Sequence, residues 1–179
     1  MTEDLYNDQW ISIDGNHIHK TAIIHPNVKM GKGNWIGAYT VIGSNGEMRV
    51  PKDFKGTLDD FQRSFKGFVN IGDSNVISEL VTIQRPYLQT ATSIGSGNII
   101  MAHSHIGHDV FIGNNCEICT GTIIGGYTII KDEVKIKLGV TLRNRLTIER
   151  GVTIGLSSAV TKDLPEGVIA YGNPAKIKV

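Results

Sequence analysis

This chain has little of what usually announces a function. Its 18 basic and 17 acidic residues nearly cancel, leaving a net charge of +1. No basic cluster stands out, so nucleic-acid binding has no electrostatic support. No apolar run reaches 18 residues and no secretory signal is present, so the expectation is a cytoplasmic protein without membrane insertion. There are only two cysteines, Cys116 and Cys119. They form a C-x-x-C, but the repeat described next puts Cys116 inside a wall and Cys119 at a corner. Residues so placed rarely share a metal or a disulfide. Gly31-Lys32-Gly33 and Gly95-Ser96-Gly97 resemble phosphate-binding loops only superficially. No helix follows either one, so both read as corner glycines.

What is present is a six-residue beat. From Ile94 an aliphatic residue falls at every sixth position: Ile94, Ile100, Ile106, Ile112 and so on to Ile154 and Val160. The same beat runs from Ile18 to Ile42 and from Ile71 to Ile83. Of these 20 beats 17 are Ile, which no ordinary helix or strand period explains. Hexapeptide periodicity is the signature of a parallel β-helix. Residues two before each beat, such as Thr40, Val81, Ser104, Val110, Cys116 and Thr122, are small or β-branched. Strand alternation puts them on the beat's own, inward side. Three beats then close one triangular coil of about 18 residues, and coils stack about 4.8 Å apart. The expectation is an all-β fold of one domain, residues 1–179, with about six to seven coils. A short non-repeat tail is expected over 164–179.

The beat slips twice, and the slips carry the functional information. Let Ile94 lie on side A, Ile100 on B and Ile106 on C. Counting back places Ile83 on C and Ile71 on A, and one insertion occupies 84–93. If the longer insertion, 43–70, also replaces one corner, Ile42 is on C and Ile36 and Ile18 are on B. Asn16, Asn34, Asn75 and Asn98 each precede a B beat by two, which stacks them in one interior column. Stacked amides can satisfy one another, so the column supports this register. Both loops therefore leave from the C-to-A corner. Loops on a rigid scaffold commonly carry binding and catalysis. Two residues past each C beat stands a column of Ser44, Arg85, His108, Gly126, Asn144 and Lys162. A histidine beside an exposed main-chain N–H is the minimum set for acyl transfer, a base plus an oxyanion donor. His105 precedes its beat by one and points out of the wall. His17, His19 and His25 read as wall and corner residues.

The stretch Asn98-Ile-Ile-Met-Ala-His-Ser-His-Ile-Gly-His-Asp109 resembles the bacterial UDP-N-acetylglucosamine acyltransferases and their hexapeptide acyltransferase relatives, which are left-handed β-helices. The similarity runs from about Ile18 to Ile169. It implies that His108 is the general base and His105 a polar contact in the acceptor pocket. It further implies that Asp109 is an acidic neighbour that orients or charges the site, and that Gly126 supplies the oxyanion N–H. The chain stops at Val179, without the long C-terminal helical domain of that family. Its end, Tyr171-Gly-Asn-Pro-Ala-Lys-Ile177, is similar instead to the tail of coenzyme A-dependent hexapeptide acetyltransferases. These departures favour acetyl-CoA or another acyl-CoA as co-substrate, with no bound cofactor and no metal. The donor is expected along Asn144, Lys162, Asn173, Pro174 and Ala175. The acceptor is expected to be a nucleotide-linked sugar by His105, His108 and the long loop. Glu47 of that loop, and Arg49, Arg63 or Arg85, could serve this substrate, the arginines by pairing with phosphate. The family resemblance implies a homotrimer with sites between subunits.

Three other readings compete. One is acyl transfer from an acyl carrier protein to UDP-N-acetylglucosamine, of the lipid A type. A second is a γ-class carbonic anhydrase, since His103 and His108 have that His-x4-His spacing. Such metals need three histidines, and no histidine lies between His25 and His103. The third is a non-catalytic β-helix subunit, which requires no meeting of two histidines and two loops at one corner.

Overall fold

The computed structural model describes residues 9–46 and 49–178. Among these the beats form three parallel sheets that wrap into a left-handed β-helix. Side A has six strands, from Val28–Met30 to Thr147–Ile148. Side C has seven, from Ile23–Ile24 to Ala159–Val160. Side B has ten, counting an antiparallel strand at each end. Registers follow the beat: Ile94 pairs with Ile112 and Ile112 with Ile130, while Ile106 pairs with Ile124 and Ile124 with Leu142. The beat side chains fill the interior, and Ile36, Ile77, Ile83, Ile100, Ile106, Ile124 and Ile136 are fully buried. Each such Ile contributes roughly 1.5–3 kcal/mol of burial before chain entropy is counted. Cys116 faces this interior, and burial pushes its thiol up to about 11.

The end strands of side B close the solenoid. Trp10–Ile13 runs antiparallel to Asn16–His19, and Lys176–Ile177 runs antiparallel to Ile169–Tyr171. Each covers a sheet edge that would otherwise offer unpaired backbone groups.

The corners use a position the beat did not flag. Three residues after a beat the backbone is left-handed. His103, Asp109, Asn115, Tyr127, Glu133 and Arg145 hold φ between 55° and 62° there. Gly33, Gly97, Gly121, Gly139 and Gly151 take the same place without a Cβ penalty. A non-glycine residue in this region costs about 1–3 kcal/mol, which the stacked neighbours must hold in place.

All three irregularities of the coil sit at the C-to-A corner. The longer loop follows Val41–Ser44 and ends at Phe68–Ile71. It carries a feature the beat did not predict, a helix α1 (Leu58–Arg63). The helix starts at a capping box in which Thr57 and Asp60 each bond the other's backbone N–H. It buries Phe61. The shorter loop separates Thr82–Gln84 from Ala91–Ile94. The third irregularity corrects the expectation of a tail outside the repeat. Leu164 bridges Ile148 on side A, and Ala170 pairs with Ile154 on side B. The last coil therefore continues, shortened where Val160 gives way to Leu164.

The asparagine column is present. Asn34 donates its side-chain amide to Asn16 Oδ1, Asn75 to Asn34 and Asn98 to Asn75, at 2.9–3.0 Å. Each side-chain oxygen also accepts the next coil's backbone N–H, ending at Cys116. Asn75 is completely buried. Asn75→Ala leaves two donors of Asn98 and the Gly95 carbonyl without a partner. The expected loss is about 2–4 kcal/mol. A denaturation midpoint equal to wild type would show that the ladder contributes nothing.

Candidate active site

The site begins with three glycines. One residue past successive C beats stand Gln84, Gly107, Gly125 and Arg143; two past stand His108 and Gly126. Gly107 and Gly125 give a floor with no side chains, and an open groove of about 410 Å³ lies over it. Gln84, His105, His108 and Ile123 line it. Gly126 has no left-handed backbone, so space is what fixes its identity. A Cβ there would lie 2.8 Å from His108 Cε1 and 2.9 Å from Nε2. The imidazole of one coil thus lies against the main chain of the next. The Gly126 N–H has no acceptor among the described residues. Gly126→Ala keeps a permitted backbone but displaces the ring. A misplacement of about 1 Å can cost about 10²-fold in rate, so turnover should fall by about 10–10³-fold with the thermal midpoint little changed. Wild-type turnover in this variant would mean that the ring does not need its present seat.

Asp109 fixes the ring. Its carboxylate lies 2.7 Å from His108 Nδ1, and its side chain is fully buried. A carboxylate only accepts, so Nδ1 carries the proton and Nε2 is left with a lone pair. The His108 side chain is 20 % exposed, enough to meet a substrate. The same carboxylate accepts three successive backbone N–H groups of the short loop: Tyr87 at 2.8 Å, Leu88 at 3.1 Å and Gln89 at 2.5 Å. The His108 ring and the short loop thus share one anchor. The long loop reaches the same place. A Cβ on Gly46 would lie 3.1 Å from His108 Cδ2. Edge-to-face ring contacts run from Phe54 through Phe61, Phe65 and Tyr87 to His108 and on to Tyr127. Arg145 stacks over Tyr127 at 4.2 Å. Burial is the main cause that raises the Tyr127 phenol above its ordinary value, and the Asp109 charge adds to it.

The structure brings His105, His108 and Gly126 together on one groove, with Asp109 behind. It does not bring the arginines there. Arg85 donates to the Gln62 carbonyl and lies 5.9 Å over the Phe65 ring, tying the long loop to the wall. Burial lowers its pKa, and its Nε has no partner. Arg49 is exposed, Arg63 pairs with Asp59, and Glu47 lies outside the described residues. Lys162, Pro174 and Ala175 line a second pocket of about 300 Å³ at the C-terminal end. Asn173, directly before Pro174, is exposed, and so is Asn144, which stands one coil before Lys162 in the corner column but does not line the pocket. His103 sits at the B-to-C corner and His108 at the C-to-A corner, so their spacing does not converge on one point. Among the described residues no group of three His, Cys, Asp or Glu side chains is placed to hold a metal. Among them, too, no helix is long and apolar enough to cross a membrane.

The beat did not flag Gly46, Tyr87 or Tyr127. Gln84 was within reach of it, since it shares a column with Gly107 and Gly125.

No protein-family model matches the chain. A curated relative from Pseudomonas paraeruginosa is 42 % identical over 111 residues, covering 60 % of this chain and 43 % of that protein. It is named acyl-[acyl-carrier-protein]–UDP-N-acetylglucosamine O-acyltransferase. The chain thus spans less than half the length of the curated relatives it matches. Among solved structures, the UDP-N-acetylglucosamine acyltransferase of Bacteroides fragilis aligns with a TM-score of 0.81 at 31 % identity. That alignment covers 92 % of this chain and 61 % of the other. The Moraxella catarrhalis UDP-N-acetylglucosamine O-acyltransferase aligns at 0.68 and 27 %, covering 90 % and 73 %. The resemblance seen in the sequence is therefore to the same group of proteins that the comparisons find.

Proposed function

We propose that this chain is an acyltransferase acting on a nucleotide-linked sugar, with His108 as general base. The observation that carries the reading is the His108–Asp109 pair with the imidazole laid against Gly126. In the reaction, a sugar hydroxyl or amine attacks the carbonyl carbon of a thioester. Its proton passes to His108 Nε2 as the new C–O or C–N bond forms. The carbonyl oxygen becomes an oxyanion, and the Gly126 N–H donates to it. Collapse breaks the C–S bond, and the departing thiolate takes the proton from His108. The thiol leaves and the base is restored. Asp109 holds Nδ1 throughout and stabilises the transient imidazolium.

For the donor, the reading is an acetyl or short-acyl thioester of coenzyme A. It would lie from Gly126 past Asn144 toward the pocket of Lys162, Pro174 and Ala175. The second reading is an acyl carrier protein donor, which the names of the sequence relatives favour. The groove is open, and Phe111, Ile123 and Ile129 are exposed apolar residues on the walls beside it. A homotrimer whose neighbouring wall closes the cleft accounts for both. A monomer in light scattering at micromolar protein would remove that part.

The test is incubation with a panel of nucleotide sugars and either acetyl-CoA or acylated carrier proteins, with products read by mass spectrometry. Acyl-sugar from coenzyme A alone supports the first donor, and from carrier protein alone the second. No acylated sugar from either donor would sink the proposed function.

A further inference from the structure

Five amide side chains are buried among the described residues, and four of them form the asparagine column. Each of those four is bonded at both its oxygen and its nitrogen. Gln84 is the fifth. It is 4 % exposed, yet its amide makes no hydrogen bond to any described residue. A buried amide without a partner costs stability, so native proteins rarely keep one without a use. Gln84 lines the groove together with His108. The next residue of its column, Gly107, has no side chain to cover it.

We propose that Gln84 is a specificity-determining residue: its amide binds two adjacent ring substituents of the acceptor sugar, one donating to Oε1 and one accepting from Nε2. This rests on the proposed role of the groove as acceptor site. The chemistry of the amide selects the class. It is neutral, and it presents an acceptor and a donor on neighbouring atoms. An anionic group only accepts, so it would meet Nε2 and oppose Oε1. An ammonium has the reverse fault. A lone hydroxyl satisfies one end of the amide and leaves the other unpaired. Two vicinal hydroxyls on a sugar ring, or a hydroxyl beside an N–H, satisfy both ends at once. The edge of a pyrimidine base also offers a donor beside an acceptor, but Gln84 shares its groove with His108. What reaches His108 Nε2 is the attacking atom, so what lies beside it is sugar rather than base.

The test measures binding, apart from turnover. The probes are UDP-glucose, UDP-N-acetylglucosamine and GDP-mannose, each against its free nucleotide in isothermal titration. Gln84→Met keeps the length of the side chain without its polar atoms. For at least one of the sugars it should weaken binding by about 10–100-fold, the loss of two neutral hydrogen bonds. The affinity of the free nucleotide should stay unchanged. The unfolding midpoint of ligand-free Gln84→Met should be no lower than that of wild type, because the amide removed had no partner. The second measurement uses the wild-type chain labelled with 15N-glutamine. The same nucleotide sugar should shift the Gln84 side-chain amide signals, assigned by their absence in Gln84→Glu, and the free nucleotide should not. A lowered midpoint in Gln84→Met together with an unmoved wild-type amide signal would assign the amide to the fold and overturn the proposal. Equal sugar affinity in wild type and variant, an equal loss for sugar and free nucleotide, or no binding of any of the three sugars to wild type would overturn it too. Binding that falls as stated in a protein without turnover keeps this inference and sinks the acyltransferase reading. Turnover with an unchanged KM for the sugar in Gln84→Met does the reverse.

Discussion

His108→Ala should lower turnover by about 10²–10⁴-fold, the range expected when a positioned general base is removed. The size of the effect follows from the geometry. Nε2 is the one nitrogen of the His108 ring left to accept a proton, because Asp109 holds Nδ1–H. On the proposed mechanism, without the ring the attacking hydroxyl or amine must give its proton to water, while Gly126 still offers its N–H to the oxyanion. Residual activity should therefore persist. Proton acceptance belongs to the transition state, so kcat and kcat/KM should fall together. The fold should survive. The ring lies at a corner, 20 % exposed, and its packing partners Tyr87 and Tyr127 keep their other contacts. Lost edge-to-face contacts are worth about 0.5–1.5 kcal/mol each. Steady-state kinetics with an unfolding midpoint on the same sample check both halves. Wild-type turnover in a folded His108→Ala protein would remove the base. Loss of turnover with loss of fold would instead assign the residue to structure, and His108→Gln would then repeat the comparison in a side chain that still fills the corner.

The corner that holds this histidine is legible in the sequence because the coil is rigid. A solenoid with a fixed step converts sequence distance into spatial distance, so residues one coil apart stack. His108 and Gly126 are one such pair, and Tyr127 N–H bonds to His108 O as the register demands. The four asparagines are another case, and they carried the register across the long insertion. What the step cannot reach is anything inside an insertion. Gly46 against His108 and the rings from Phe54 to Tyr87 are set by how the two loops fold on each other. Arg85 shows the same limit from the other side. Its column position pointed to the site, yet the long loop claims its guanidinium through the Gln62 carbonyl. The helix could have been found by a different signal, because Thr57-Leu-Asp-Asp60 is a recognisable capping box. The shortened last coil was missed because Leu164 comes early, which breaks the beat just where the eye expects a tail.

Asp109→Asn should cost more than an isosteric change normally does, with turnover down by about 10²–10⁴-fold, as for other imidazoles that lose their carboxylate. Asp109 receives four donors on two oxygens: His108 Nδ1–H and the backbone N–H groups of Tyr87, Leu88 and Gln89. All four need an acceptor, and two carboxylate oxygens have about four lone-pair sites. Asparagine keeps one of those oxygens and turns the other into an NH₂ that faces donors. If the amide nitrogen turns to His108, it can bond only to an unprotonated Nδ1, so the proton moves to Nε2 and the base is lost. If it turns to the loop, the Leu88 and Gln89 N–H groups on Oδ1 lose their acceptor, each at about 1–3 kcal/mol when buried. The first orientation also takes the acceptor from the Tyr87 N–H, which shares Oδ2 with His108, so either orientation disturbs the loop that packs on the ring. The backbone cannot relax the conflict cheaply, because residue 109 sits at a left-handed corner with φ 60° and donates its own N–H to Thr92. Hydrogen exchange distinguishes this double role from a simple catalytic one. In Asp109→Asn the amides of 87–89 should lose protection, while in His108→Ala, where the carboxylate still holds the loop, they should keep it. Unchanged exchange at 87–89 in Asp109→Asn would show that the loop does not depend on this carboxylate. Turnover within a few-fold of wild type would show that His108 does not depend on it either.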